Sequence, residues 1–217
     1  ENTTFTFIDL FAGIGGFRLA MQANGGECVF SSEWDKDAKQ TYYENYGEVP
    51  FGDITKDEVK AFIPEHFDVL CAGFPCQAFS IAGYQKGFDD VRGTLFFDVA
   101  DIIEKHRPKA FYLENVKNLQ SHDNGKTFKK IMDVLKNRLG YVVDTKIMNP
   151  CEYANIPQNR ERIFIIGIDP TQVQIPQVNN IFIFPFPEKQ TLTKSIHDII
   201  IDSINDEKLF YREDHIY

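Results

Sequence analysis

The chain opens with a short apolar run that breaks into a glycine turn, and this constrains its fold more than any other feature. Thr4-Phe5-Thr6-Phe7-Ile8-Asp9-Leu10 reads as a buried strand. Phe11-Ala12-Gly13-Ile14-Gly15-Gly16 follows as a tight turn, and Phe17 to Asn24 then reads as a helix closed by Gly25-Gly26. The same alternation recurs downstream. Glu27 to Ser32 is a second strand with Glu33 at its tip, and Asp35 to Asn45 is a helix with Asp35 as its N-cap. Val49 to Ile54 is a short third strand or loop, and Phe67 to Cys71 is a fourth strand. Leu95 to His106 and Lys126 to Arg138 are helices on either side of a fifth strand, Lys109 to Leu113. Tyr141 to Met148 and Arg162 to Ile168 have no helical pattern between them, so they are expected to pair antiparallel. Repeated strand–helix alternation predicts a doubly wound, Rossmann-like α/β sheet, mostly parallel, with that antiparallel pair at its end.

The length of 217 residues, with 43% hydrophobic content, suits one globular domain over residues 1–168. Residues 169–217, with Pro170, Pro176, Pro185 and Pro187, read as an irregular connector. No apolar run approaches the ~18 residues of a membrane span, and no secretory signal is present, so a cytoplasmic location is expected. The first residue is Glu1 rather than Met, so the true N-terminus is expected to be missing or processed. Cys28, Cys71, Cys76 and Cys151 form no CxxC pair and have no histidine at ligand spacing, which argues against a zinc site. The net charge of −9 is uneven. Residues 1–70 carry 5 basic and 13 acidic side chains (net −8), residues 71–168 carry 14 and 11 (net +3), and the remainder 4 and 8 (net −4). The one basic stretch is where a polyanion could approach, though a net of +3 is a weak signal.

That stretch also holds the reactive residues. In Gly73-Phe74-Pro75-Cys76-Gln77 a thiol sits just past a strand's C-terminal end, on a segment stiffened by proline. A second strand end, Phe111-Tyr112-Leu113-Glu114-Asn115-Val116, carries a carboxylate at its tip. A thiol and a carboxyl on neighbouring strand tips can share covalent chemistry, one attacking and one handling protons. A lone cysteine is usually a small buried hydrophobe and a strand-end glutamate is usually solvated, so the pair carries the argument. The turn Asp9-x-x-x-Gly13-x-Gly15-Gly16 departs from the dinucleotide fingerprint and has no basic residue in it. With Glu33 placed to bind ribose hydroxyls and Asp53 to meet an adenine amino group, it suggests an adenosine-bearing ligand without a phosphate requirement. Ordinary strand-end acids are the plainer alternative. Residues 80–94, with Gly83, Gly87 and Gly93 between charged residues, read as a mobile loop.

Together these residues resemble the cytosine-5 DNA methyltransferases, which use S-adenosylmethionine. Phe7-Ile8-Asp9-Leu10-Phe11-Ala12-Gly13-Ile14-Gly15-Gly16-Phe17 is similar to the family's first motif, Glu33-Trp34 to the second and Gly52-Asp53-Ile54 to the third. Gly73-Phe74-Pro75-Cys76-Gln77 is similar to the nucleophile motif, Arg92-Gly93-Thr94-Leu95-Phe96 to the fifth, Glu114-Asn115-Val116 to the sixth and Gln158-Asn159-Arg160-Glu161-Arg162 to the eighth. The resemblance implies that Phe11, Gly13 and Gly16 border the methionine part of the cofactor, with Ala12 and Gly15 also among the cofactor-binding residues. Glu33 would hold the ribose, Trp34 would stack on the adenine, Asp53 and Ile54 would bind its edge, and Phe74 and Leu95 would line the pocket. Cys76 would be the nucleophile, Glu114 the partner of cytosine N3, and Arg160 and Arg162 helpers at the base. Pro75, Gln77, Ser80, Lys86, Arg92, Asn115 and Gln158 would meet the DNA substrate. Ala82 stands where the family carries a serine, which puts one DNA contact in question.

The partners implied are double-stranded DNA and a C-terminal target-recognition region. That region and the ninth and tenth motifs are not found in these residues, so the chain is expected to be a fragment or one half of a split enzyme. A restriction–modification setting leaves room for a cognate restriction endonuclease. The chemistry implied is thiolate attack on C6 of a cytosine flipped out of the duplex, with a protonated Glu114 beside N3 and S-adenosylmethionine as methyl donor. An RNA cytosine methyltransferase is a rival within the class, and a non-catalytic subunit keeping the fold is a rival outside it. A nicotinamide dehydrogenase is disfavoured by the glycine spacing. A cysteine hydrolase is disfavoured because the five histidines follow no such pattern.

Overall fold

The computed structural model describes residues 3–75, 95–179 and 181–200. The strands and helices of the main unit are β1 (Phe5–Leu10), α1 (Gly16–Ala23), β2 (Gly26–Ser32), α2 (Lys36–Tyr46), the short α3 (Asp57–Lys60), β3 (Val69–Ala72), α4 (Leu95–His106), β4 (Ala110–Val116), α5 (Lys126–Asp133) and β5 (Val142–Met148). After the short helix α6 (Pro150–Tyr153) come β6 (Arg162–Ile168) and a small hairpin of β7 (Gln177–Val178) and β8 (Ile181–Phe182).

Six strands form one sheet in the order β2-β1-β3-β4-β6-β5. The first four run parallel, and β6 lies antiparallel to both β4 and β5. The expected α/β sheet with its antiparallel end is therefore present. β6 inserts between β4 and β5, an arrangement that hydrophobic periodicity does not encode. Connections leave β1 to one side and return on the other, so the strand order reverses between β1 and β3. Open α/β sheets bind ligands at such a switch point, beyond the carboxyl ends of the strands.

One sheet face holds the main core. Ile8, Leu70 and Phe111 are register partners there, as are Leu10, Ala72, Leu113 and Ile165, and all of them are fully buried. Phe96, Val99, Ala100 and Ile103 of α4 pack on this layer. Gly167 is required at its place in β6, since a Cβ there would run into the Phe111 ring. The opposite face carries Phe7, Asp9 and Cys71, all but closed to solvent. The Lys126–Arg138 helix changes character within its length. It is α-helical to Asp133 and a π-turn over Val134–Arg138, closed by the Leu139 N–H on the Val134 carbonyl at 2.9 Å. Residues 49–54 make one bridge, Ser32 to Phe51, rather than a full strand.

The described residues divide into two compact units, one falling within 1–148 and 161–186 and the other within 149–160 and 187–217. In the second, α6 is tied to the later segment by Lys189 Nζ on Glu152 Oε1 at 2.9 Å, and the loop after it by the Thr193 N–H on Asn155 Oδ1 at 2.8 Å. Among the described residues, no helix is long and apolar enough to cross a membrane.

Candidate functional site

The turn after β1 takes left-handed backbone at three positions, Phe11 (φ 54°), Gly13 (φ 56°) and Gly15 (φ 94°). Gly15 is also sterically required, because a Cβ there would enter the Tyr46 ring, whose hydroxyl donates to the Gly15 carbonyl at 2.6 Å. The Ala12 N–H donates to the Ser32 carbonyl at 3.0 Å, stitching the turn to the end of β2. Glu33 completes the stitch. Its Oε2 accepts the Gly13 N–H at 2.8 Å, and Oε1 accepts those of Trp34 and Asp35 at 2.9 and 2.8 Å. This buried carboxylate is thus a scaffold as well as a candidate ligand group. Three accepted N–H bonds still leave capacity, since a carboxylate offers about four acceptor sites.

Asp53 is held by the bridge at Phe51. The Phe51 N–H donates to the Ser31 carbonyl at 2.8 Å, and the Glu33 N–H returns to Phe51 at 2.9 Å. Asp53 Oδ1 takes the Thr55 N–H at 2.9 Å, a side-chain turn that fixes the carboxyl's direction.

A cleft of about 210 Å3 opens among these tips, lined by Phe11, Ser32, Glu33, Trp34, Gly52, Asp53, Ile54, Thr55, Pro75 and Leu95. It brings together Phe11, Glu33, Trp34, Asp53, Ile54 and Leu95 of the expected cofactor set. Trp34 is 79% exposed, a large indole left open at the cleft wall. Phe74 lies behind the wall, buried against Phe96 with ring centroids 5.8 Å apart. Ala12 and Gly15 are buried within the turn and Gly16 starts α1. Sequence reading does not single out Ser32 or Thr55. The Asp53-Ile54-Thr55 turn pattern is the signal that could have found Thr55.

The carboxylate on β4 is placed by its strand. Glu114 Oε1 pairs with Arg162 Nε at 3.0 Å across the β4–β6 ladder, both side chains about a quarter exposed. Glu114 is therefore only partly buried, and its charge partner is a guanidinium. On its other side, Oε2 stands 3.4 Å from where a Cβ on Gly73 would lie. A side chain at position 73 would crowd the space between Glu114 and the segment leading to Cys76. Asn115 is almost fully buried and points the other way. Its Nδ2 donates to the Phe74 carbonyl at 2.8 Å, and its Oδ1 takes the Val116 N–H at 2.8 Å. It ties the Phe74-Pro75 segment to β4.

Arg160 and Gln158 belong to the second unit and are exposed. There the Arg160 N–H donates to Asn149 Oδ1 at 3.0 Å, and the Gln158 N–H to the Ile156 carbonyl at 2.7 Å. Cys76, Gln77, Ser80, Lys86 and Arg92 lie outside the described residues.

The family described as C-5 cytosine-specific DNA methylase matches residues 5–217. The chain is 64% identical over 163 residues to the type II methyltransferase M.HpaII of Haemophilus parainfluenzae, covering 75% of this chain and 46% of that protein. It is 49% identical over 207 residues to M.HhaI of Haemophilus parahaemolyticus, covering 95% and 60%. Among solved structures, a mutant of Spodoptera frugiperda DNMT2 superposes with a TM-score of 0.67 at 21% identity, covering 94% of this chain and 62% of that one. That likeness speaks to the fold alone. The chain spans about half the length of the curated relatives it matches. With a family match across nearly its whole length and half its residues identical to a relative, the chain belongs to the C-5 cytosine-specific DNA methylases.

Proposed function

We propose that these residues form the catalytic half of a DNA cytosine-5 methyltransferase of a restriction–modification system, with S-adenosylmethionine as methyl donor. One observation carries the reading. A single cleft runs from the glycine turn, past Glu33, Trp34 and Asp53, to Pro75, the residue before Cys76. The side chains fit an adenosine. Trp34 offers an open indole face for a purine, Asp53 an acceptor for an exocyclic amine, and Glu33 spare lone pairs for ribose hydroxyls. The cofactor supplies an electrophilic methyl group when bound.

The chain's own residues do the rest. The Cys76 thiolate attacks C6 of a flipped cytosine, turning C5 into a nucleophile. Glu114 meets the N3 edge, where attack pushes negative charge, and Arg162 fixes the direction of its carboxyl. Asn115 anchors Phe74 and so aims the segment carrying Cys76. After transfer the C5 proton leaves and Cys76 is eliminated. Because the chain spans about half the length of the relatives, the test also supplies the remainder of one of them.

The test is transfer of labelled methyl from S-adenosylmethionine to mixed-sequence double-stranded DNA, with and without the C-terminal half of a relative supplied as a second polypeptide. Transfer by the wild type that disappears in Cys76→Ser, while cofactor binding persists, is the expected result. Substantial transfer by Cys76→Ser would overturn the covalent route. Cofactor binding without transfer in either arm would favour a non-catalytic or RNA-directed role.

A further inference from the structure

One ion pair beside Glu114 has no part in the chemistry above. Val116 and Arg162 are the last register partners of β4 and β6. One step further, Lys117, which opens a 3-10 turn after β4, meets Glu161, the residue before β6. Lys117 Nζ donates to both carboxylate oxygens of Glu161, at 3.0 and 2.8 Å. Both side chains are half exposed, and an ion pair in such a place adds only about 0.2–1 kcal/mol to stability. Stability is therefore a weak reason for the pair, and its neighbours supply a stronger one.

Arg162 stands between two acidic residues. Its Nε reaches Glu114 Oε1 at 3.0 Å, and its Nη1 turns back to the carbonyl of Glu161 at 2.9 Å. The guanidinium that directs Glu114 is thus anchored to the main chain of the residue whose carboxylate Lys117 holds. Within a strand, successive side chains point to opposite faces. Glu161 lies before β6 and past the last register pair, where pairing no longer keeps the two faces apart. An unclaimed carboxylate there is a close rival to Glu114, because a guanidinium fork binds any carboxylate within its reach.

We propose that Lys117 is a positioning residue for Glu114, occupying both oxygens of Glu161 so that the Arg162 guanidinium stays on Glu114. This rests on the role given to Glu114 above. Lysine suits the task, since its compact charge on a flexible stem can follow Glu161. Its place at the end of β4 ties that hold to the strand that carries Glu114. Without the ammonium, Glu161 draws the guanidinium away. Arg162 has little distance to cover, with Nη1 already on the Glu161 carbonyl. Glu114 then loses the group that fixes its direction and meets the N3 edge of cytosine out of line.

An asymmetry follows that an ordinary ion pair lacks. The harm comes from the freed charge of Glu161 and not from loss of the pair. Lys117→Met frees that charge, whereas Glu161→Gln removes it, alone or in the double variant.

The test compares Lys117→Met, Glu161→Gln and the double variant with wild type in two readouts. The first is methyl transfer to double-stranded DNA with the C-terminal half of a relative supplied. Lys117→Met is expected to lower kcat about tenfold. Glu161→Gln and the double variant are expected to stay within about twofold of wild type, as is Lys117→Arg, which keeps a cation on Glu161. The second readout is the crystal structure of each variant. Arg162 Nε is expected beyond ~3.5 Å from Glu114 in Lys117→Met and back within hydrogen-bond distance in the double variant. Equal losses in Lys117→Met and Glu161→Gln, with no recovery in the double variant, would show a plain clasp and overturn the inference. A rise in the KM for DNA that Glu161→Gln does not repair would mean that Lys117 meets DNA itself, and overturns it too. If Lys117→Met does not fold, the double variant's failing alongside it overturns the inference, and its recovery with wild-type kcat supports it. If the wild type transfers no methyl group, the proposed function fails, and the crystal structures still decide whether Lys117 keeps Arg162 on Glu114.

Discussion

Asn115 is the joint between the strand that carries Glu114 and the segment that leads to Cys76, and its loss can be worked out in advance. Asn115→Ala removes the donor to the Phe74 carbonyl and the acceptor of the Val116 N–H, each at 2.8 Å. Phe74 is 2% exposed, so water cannot easily replace the lost donor. An orphaned buried carbonyl costs about 1–3 kcal/mol, and the half-buried Val116 N–H about 1 more. The expected loss is therefore about 2–4 kcal/mol, or a fall in Tm of roughly 5–15 °C for a chain of this size. Asn115→Asp is the sharper probe. It keeps an acceptor for Val116 but turns an oxygen towards the Phe74 carbonyl, so it is expected to be at least as harmful as alanine despite its matching shape. Thermal unfolding by circular dichroism measures both. Methyl transfer per folded molecule is expected to fall about tenfold further, because misplacing a nucleophile by ~1 Å can cost up to about a hundredfold. A Tm within about 2 °C of wild type for Asn115→Ala, or an aspartate milder than alanine, would refute the claim that this bond holds the segment.

Three further outcomes follow from the structure. Trp34→Ala removes the exposed indole of the cleft and is expected to weaken S-adenosylhomocysteine binding by about 1–3 kcal/mol in isothermal titration, with Tm almost unchanged; a large stability loss would mean the indole is structural. Gly15→Ala meets the Tyr46 ring and a left-handed φ of 94°, so it is expected to lower stability by about 2 kcal/mol or more and to abolish cofactor binding, and a tolerated alanine would show that the turn can be remade. Asp169 keeps its charge against the opposing cost of burial, because Gln172, Thr171 and Arg107 donate to it, and its carboxyl is lowered to about 2. Its contribution, about 2 kcal/mol, is present above pH ~4 and is lost as pH falls towards 2; urea unfolding of wild type and Asp169→Asn at both ends of that window should differ only at the upper one.

The parts of the site legible in the sequence are those where an apolar run ends in a charged or glycine residue. Glu33, Asp53 and Glu114 each terminate such a run, and the fold brings Glu33 and Asp53 to one cleft. The helix over Leu95–His106 and the strand over Arg162–Ile168 keep their expected bounds, because each is a periodic run of buried residues closed at one end by a polar residue, His106 and Arg162. The fourth strand is shifted instead, pairing over Val69–Ala72 and not Phe67–Cys71. Phe67 is buried against His106, and Asp68 is held by the Thr6 N–H on its Oδ2 at 2.8 Å, so both belong to the strand's approach. Apolar character alone cannot separate burial beside a sheet from burial within it.

What stayed illegible is tertiary bonding by residues already assigned a chemical task. Glu33 reads from sequence as a ribose ligand, yet three main-chain N–H groups converge on it before any ligand arrives. Only the folded chain brings Gly13, twenty residues earlier, against its Oε2. The double duty has a consequence for interpreting mutations. A Glu33→Ala variant that loses cofactor binding has lost both the ribose contact and the bond that shapes the turn. Glu33→Gln separates the two. Its amide cannot accept on both sides, so one end loses its N–H partner while the other still faces the cleft. Binding lost equally in both variants would point to the turn, and binding kept by glutamine would leave the ribose contact as the dominant role.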